Sequence, residues 1–131
     1  MYRLLVGIIV FSFFVLPIGC KDSISSPDLS KIVFPASGVS YGKHVEPLFL
    51  QGCVYTGCHD SETKAGDLNL ETYYDATSKG GVIISNDTVH SVLIWRITGK
   101  GGARMPLDRD ALNSNQIKGL KTWIMEGARN N

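Results

Sequence analysis

The segment Cys53-Val54-Tyr55-Thr56-Gly57-Cys58-His59 places two thiols and an imidazole within seven residues. Four residues separate the two cysteines, and the histidine follows the second cysteine directly. Gly57 gives the loop between the thiols conformational freedom just before Cys58. The chain has three cysteines, and the remaining one, Cys20, lies far upstream, so a scaffold built from several disulfides is a poor explanation.

Two cysteines followed directly by a histidine are the arrangement that attaches a c-type haem. The thiols add to vinyl groups on one edge of the porphyrin, and the next residue then lies under the ring, where its imidazole reaches the iron. The usual motif has a shorter loop between the cysteines, so this loop must bulge outward, as in the variant sites of some multihaem cytochromes that it resembles. We predict one covalent haem c on Cys53 and Cys58, with His59 as the proximal iron ligand.

Two other uses of these side chains remain open. A zinc site could combine Cys53, Cys58 and His59 with His44 or His90 as the fourth ligand, although adjacent Cys58 and His59 are poorly placed for one tetrahedral ion. Alternatively, Cys53 and Cys58 could form a disulfide in an oxidising compartment, which would make the protein a haem-free surface module.

A methionine in the second half of the chain is the predicted distal iron ligand. Met105 and Pro106 follow a loop rich in glycine, residues 99–102. A thioether binds haem iron opposite a histidine and raises the reduction potential. Pro106 would fix the backbone beside the sulfur, and the glycines would let the loop fold across the ring face. A core methionine that only fills space, and ligation by His90, are the alternatives.

The first nineteen residues have the form of an export signal. Arg3 precedes an almost entirely apolar run to Ile18, which is short for a membrane span of about 20 residues but typical of a secretory signal. Gly19-Cys20 resembles the lipobox of bacterial lipoproteins. We therefore expect cleavage before Cys20 and acylation of its thiol, which would insert lipid chains into a membrane. Ordinary cleavage that leaves a free thiol is the alternative.

The remaining chain divides into a tether and one domain. Residues 20–40 are predicted to be a flexible tether because they are rich in serine and poor in large apolar groups. Packing of this segment on the domain through Phe34 is the alternative. Residues 41–131 form the predicted domain, which is small enough to need a staple or a cofactor.

The periodicity of that domain is helical. The predicted helices are Tyr41–Gln51, Leu70–Lys79, Thr88–Thr98 and a last helix from Asn113 or Ser114 to Glu126, with a short extended run at Val82–Ile84. The apolar stripe of the third helix includes Val89. The predicted fold class is therefore all-α, with three to four short helices around one haem.

Several sequence patterns occur in the order seen in small class I cytochrome c domains. They are Val45–Phe49, the cysteine–histidine site, Gly66–Leu70, Ser91–Leu93 followed by Ile97, Arg104–Pro106 and Ile117–Ala128. The chain from Tyr41 to Ala128 thus resembles the c-type domain of bacterial membrane-anchored lipoproteins. The resemblance implies that the first and last helices cross over one edge of the haem, with Phe49 and Trp123 as natural partners there.

Iron held on both faces by His59 and Met105 has no open position, so we predict a one-electron carrier and no enzyme. Arg96, Lys100 and Arg104 are candidate partners of the haem propionates. If Met105 were off the iron, the haem could instead bind a gas or another small ligand as a sensor, or support peroxide chemistry. No Ser-His-Asp order or carboxylate pair indicates a hydrolase.

Charge and compartment complete the prediction. Lys plus Arg number 13 and Asp plus Glu 12, a balance that argues against a nucleic-acid partner. Covalent haem attachment takes place after export, so we expect the bacterial cell envelope, with the domain facing the periplasm or the cell surface. The expected partners are redox proteins of the envelope electron-transfer chain, and membrane lipid through acylated Cys20.

Overall fold

The computed structural model describes residues 27–131. The predicted signal segment, residues 1–19, and the predicted lipidation site, Cys20, lie outside the described residues. Between residues 27 and 131 the chain forms helices and turns, with one isolated bridge between Ile84 and Asp87 and no strand. In the same part of the chain, no helix is both long and apolar enough to cross a bilayer.

The described part contains four α-helices. They are α1 (Glu46–Gly52), α2 (Tyr73–Ser78), α3 (Val92–Thr98) and α4 (Ser114–Met125). A single 3₁₀ turn, Leu29–Lys31, and a π-helical turn, Tyr41–Val45, precede α1. The all-α prediction is therefore confirmed for these residues. In place of the predicted extended run at Val82–Ile84, Val82 lies in a turn, Ile83 in a bend, and Ile84 in the isolated bridge.

The first predicted helix is present but changes its hydrogen-bonding pattern along its length. Its π-helical turn ends where the backbone N–H of Glu46 donates to the carbonyl of Tyr41, and α1 follows directly. Pro47 lies in the first turn of α1, where its missing N–H is tolerated. Pro47 therefore lies at the start of the regular helix and does not kink it.

The second and third helices are shorter than predicted at their N-termini. The Thr72 hydroxyl accepts the backbone N–H of Asp75 at 3.1 Å and so starts α2 at Tyr73. Before α3, the Asp87 carboxylate accepts the N–H groups of Val89 and His90 at 2.9 and 3.0 Å, which forms a turn instead of a helix. Val89 is therefore exposed and does not belong to the apolar stripe.

The last helix agrees with its prediction because its signals are local. Asn113 caps α4 by accepting the N–H of Gln116 at 3.0 Å, and the Gln116 side chain accepts the N–H of Asn113 at 2.9 Å. This reciprocal capping box satisfies two backbone donors at the helix start. Leu120, Trp123 and Ile124 of α4 are fully buried in the core.

Residues 27–40 differ from the predicted tether. Phe34 and Val39 are buried, and the side chain of Asn115 in α4 pairs with both backbone groups of Phe34, at 2.8 and 3.0 Å. The Glu126 carboxylate accepts the N–H groups of Gly38 and Val39 at 2.7 and 2.9 Å. This segment therefore packs on the domain, because it carries a phenylalanine for which α4 provides a site.

The contact between the first and last helical segments uses a different aromatic pair from the one expected. Phe49 and Trp123 are both buried, but the ring packed against Trp123 is that of Tyr41, with centroids 5.8 Å apart. Tyr41 also meets Tyr73 edge-on at 5.1 Å, and the Tyr73 hydroxyl donates to the carbonyl of Ala128 at 2.9 Å. Through Tyr73, α2 thus contacts both the π-helical turn before α1 and the chain that follows α4.

Candidate haem site

A cavity of about 660 Å³ lies between α1, α3 and the loops that follow them. The side chains predicted to hold the cofactor, Cys53, Cys58, His59 and Met105, all line it. Most of its wall is apolar, and its aliphatic side chains include Leu68, Leu70, Val82, Val92, Leu93, Ile97 and Leu112. The volume is within the range of about 300–1,000 Å³ common for small-molecule and cofactor pockets.

His59 is oriented through one ring nitrogen. Its Nδ1 lies 3.2 Å from the backbone carbonyl oxygen of Leu68, so Nδ1 carries the proton when this hydrogen bond forms. The backbone of the same residue is held as well, since the carbonyl of His59 accepts the N–H of Leu70 at 3.0 Å. In the neutral tautomer with the proton on Nδ1, the other nitrogen, Nε2, carries the lone pair that can bind a metal, and the Leu68 carbonyl orients the ring.

The two cysteines are free thiols at the end of α1 and in the turn after it. Burial, reinforced by the neighbouring Cys58, raises the pKa of Cys53 to about 12. The loop that contains Cys58 is closed by hydrogen bonds, because Gly57 N–H donates to the Thr63 hydroxyl at 3.0 Å and Thr63 donates to the Asp60 carboxylate at 3.2 Å. Asp60 and Thr63 therefore support the bulge that the wide cysteine spacing requires.

Met105 is positioned by α3. Its backbone N–H donates to the carbonyl of Arg96 at 2.8 Å, in the last turn of that helix. Gly99 ends α3 in the left-handed conformation, with a φ of 76°, and turns the chain back towards the cavity. The glycine-rich loop thus carries Met105 from the helix end to the cavity wall.

The cationic side chains at the cavity differ in part from those expected near the propionates. Of the three candidates, Arg96 lines the cavity, whereas Lys100 and Arg104 do not. Lys79 and Arg109 line it instead. Lys79 is engaged by the backbone, because its ammonium group donates to the carbonyls of Gly66 and Asp67 at 2.5 and 3.0 Å.

The alternatives to haem find less support in this geometry. His44 bonds to Ser40 through Nδ1, and Nδ1 of His90 lies 2.6 Å from the Asp87 carboxylate; neither histidine lines the cavity. A zinc site therefore lacks its fourth ligand, and residues 27–131 contain no group of three or more acidic, histidine or cysteine side chains arranged to hold a metal ion. Ligation by His90 is disfavoured for the same reason.

Besides Lys79 and the wall residues, two contacting side chains at the site were not predicted from the sequence. Tyr55, between the cysteines, and Arg109, after the methionine, both line the cavity and contact each other. No local pattern marks such a pair, because the contact joins two loops that are distant in the chain. The hydrogen bond from His59 to the Leu68 carbonyl could not be predicted from the sequence either, since every residue has a backbone carbonyl.

The donor set fits a covalent haem. Two thiols, one imidazole with a free Nε2 and one thioether face a single apolar cavity, which is the combination that a c-type haem with histidine and methionine ligands requires. Cys53 and Cys58 would hold the ring edge, and His59 and Met105 would bind the iron.

Comparison with known proteins agrees with this geometry. A family model described as Planctomycete cytochrome C matches residues 56–108, which include Cys58, His59 and Met105 but begin after Cys53. No curated protein and no solved structure matches the chain significantly. The family match and the helical architecture support a cytochrome c-like domain in this chain.

Proposed function

We propose that this protein is a one-electron carrier, a monohaem c-type cytochrome without enzymatic activity. The single observation that carries the proposal is that Cys53, Cys58, His59 and Met105 line one cavity. Haem c, when bound there, supplies an iron that changes between the ferrous and ferric states. With a side chain assigned to each iron face, the site has no open position for a substrate.

The polypeptide contributes orientation and exclusion of water. The Leu68 carbonyl holds the His59 ring with Nε2 available, and the backbone bond from Met105 to Arg96 holds the thioether loop on α3. The aliphatic wall, which includes the buried residues Leu93 and Ile97, would keep water away from an iron bound in the cavity. Low polarity and oriented ligand side chains would keep the structural change small when such an iron gains or loses one electron.

The same proposal includes attachment to a membrane of the bacterial envelope. It rests on the sequence of residues 1–20, with acylation of Cys20 after export. The folded part begins by Phe34, so the length of chain free to act as a tether is shorter than residues 20–40. The expected partners are redox proteins of the same compartment.

Two measurements test the carrier proposal. Mass spectrometry of the exported chain should show the added mass of one haem joined to the peptide that contains Cys53 and Cys58. The ferric protein should also show a sulfur-to-iron charge-transfer band that disappears in Met105→Ala. Met125→Ala, on the exposed side of α4, is the matched control and should keep the band.

Either result can overturn the proposal. A chain with no added macrocycle would eliminate the cytochrome assignment. If the haem is present but the spectrum is unchanged in Met105→Ala, Met105 does not bind iron. Ready binding of carbon monoxide to the ferrous protein, without displacement of a native ligand, would then favour the sensor alternative.

A further inference from the structure

A contact joins the two loops that carry the candidate ligands. The guanidinium carbon of Arg109 lies 3.5 Å from the centroid of the Tyr55 ring. Tyr55 belongs to the segment between Cys53 and Cys58, and Arg109 belongs to the loop after Met105. Because both side chains also line the cavity, this pair connects two loops at the edge of the site. They are residues 53–58, called the attachment loop here, and residues 99–110, called the Met105 loop.

Each partner is held by a second contact. The Tyr55 hydroxyl donates to the carbonyl of Gln51 in α1. On the other side, the guanidinium of Arg104 donates to the backbone carbonyl of Arg109 at 3.4 Å. In the described part of the chain, Arg109 forms no salt bridge with a carboxylate. Its guanidinium charge instead interacts with the Tyr55 ring.

The wide spacing of the cysteines explains why this pair can form. Four residues separate Cys53 from Cys58, more than in the usual haem-attachment motif, and this longer loop places the Tyr55 ring at the edge of the cavity. A guanidinium stacked on such a face is attracted by the ring quadrupole, and because Arg109 is exposed the attraction has the modest strength of a solvent-accessible pair. The contact therefore favours the arrangement in which the Met105 loop stays close to the attachment loop.

We propose that Tyr55 and Arg109 form a clasp that keeps the Met105 loop closed over the haem. This inference rests on the proposed function, since it concerns the stability of the Met105–iron bond. Both are positioning residues, because they act through Met105 and not on the iron. An external ligand reaches the iron only when the Met105 loop opens, so its apparent affinity rises with the open fraction.

Imidazole is a suitable probe, and the experiment uses the ferric holoprotein. We expect Tyr55→Leu and Arg109→Gln each to bind imidazole about 2–5-fold more tightly than the wild type, the range that corresponds to the loss of one cation–π contact at an exposed site. Tyr55→Phe keeps the ring and should remain nearer to the wild type. The double variant should bind no more tightly than the stronger single variant, because both remove the same contact.

Hydrogen exchange measures the same opening on the polypeptide itself. Amides of residues 100–110 should exchange faster in Tyr55→Leu and in Arg109→Gln, in the absence of imidazole. Two surface variants are matched controls: Tyr74→Leu, whose ring is 77% exposed, and Lys118→Gln on the exposed face of α4. Neither should change imidazole affinity or exchange.

The clasp and the carrier proposal fail in different ways. Unchanged imidazole affinity and unchanged exchange in Arg109→Gln, with haem attached and the ferric spectrum intact, would overturn the clasp alone. Additive effects in the double variant would overturn it as well. A chain without covalent haem would instead refute the proposed function. Arg109 lies outside the attachment loop, so its variant remains informative even if Tyr55→Leu impairs attachment.

Discussion

Gly119 of α4 lies directly against the Phe34 ring, with no room for a side-chain carbon between them. The ring occupies the surface of the helix that any larger residue at position 119 would cover. This contact, together with the two hydrogen bonds between the Asn115 side chain and the Phe34 backbone, makes residues 27–40 part of the folded domain.

Gly119→Ala should therefore destabilise the protein although alanine is the better helix former. The gain in helix propensity is about 1 kcal/mol. Overlap of the new methyl group with the Phe34 ring forces strain or expulsion of the ring, so we expect a net loss of about 1–3 kcal/mol in the free energy of unfolding. Urea denaturation measures it. Gly42→Ala is the control, because a Cβ there makes only an ordinary contact, 3.7 Å from the carbonyl oxygen of Asn131, and Gly42 does not line the cavity. An increase in stability for Gly119→Ala would contradict the observed packing.

Glu126 should hold the same segment through charge-assisted hydrogen bonds. Glu126→Ala removes the acceptor for the N–H groups of Gly38 and Val39 and should cost about 1.5–3 kcal/mol of unfolding free energy. Glu126→Gln keeps one acceptor oxygen, so its free energy of unfolding should fall by less than that of Glu126→Ala. Proteolysis between residues 27 and 40 should become faster in the order wild type, Gln, Ala. Equal rates for all three would show that the carboxylate does not hold the segment.

Tyr41→Phe should stabilise the protein. The Tyr41 hydroxyl is buried and is the one buried side-chain polar atom without a hydrogen-bond partner within the described residues. Removal of an unsatisfied buried hydroxyl should add about 1–2 kcal/mol to the free energy of unfolding at neutral pH. Chemical denaturation of the two proteins side by side measures the difference, and a loss of stability would indicate that the hydroxyl has a partner.

The pH dependence of stability should change in the same variant. Desolvation by burial, followed by the charges of Glu46 and Asp75, raises the pKa of Tyr41 from 10.0 to about 12. The folded state therefore keeps this proton at pH values where the unfolded state loses it. Ionisation of Tyr41 in the unfolded state therefore leaves the stability of the wild type unchanged below pH 10 and lowers it as the pH rises towards 12. The difference in stability between Tyr41→Phe and the wild type should thus widen over that interval; a constant difference would show an unshifted hydroxyl.

Thr63→Val should impair the attachment of haem. The substitution removes the acceptor for Gly57 N–H and the donor to Asp60, so the loop before Cys58 loses its closure. A hydrogen bond of this kind changes a local equilibrium by about 2–10-fold, and the fraction of exported chain with both thioether links should fall accordingly. Intact-mass measurement of wild type, Thr63→Val and Thr63→Ser gives that fraction. Serine keeps the hydroxyl and should restore attachment; equal fractions for all three would remove Thr63 from the site.

Most of the candidate site could be predicted because its chemistry is local in the chain. Cys53, Cys58 and His59 lie within one short segment, and Met105 precedes a proline in a glycine-rich context. The structure brings all four to one cavity. The start of α3 was predicted too early, because the competing turn at Asp87 uses side-chain hydrogen bonds that helical periodicity does not reveal.

The sequence by itself determined which side chains carry the candidate chemistry, Cys53, Cys58, His59 and Met105, and where α4 lies. Residues 53–59 and the capping box of α4 each involve side chains only a few positions apart, so their spacing in the sequence is enough to predict them. Only the tertiary structure decided that Phe34 covers Gly119, that Leu68 orients His59, and that Arg109 stacks on Tyr55. Each of these contacts joins parts of the chain that meet after folding, where packing and burial set the partner and no spacing rule applies.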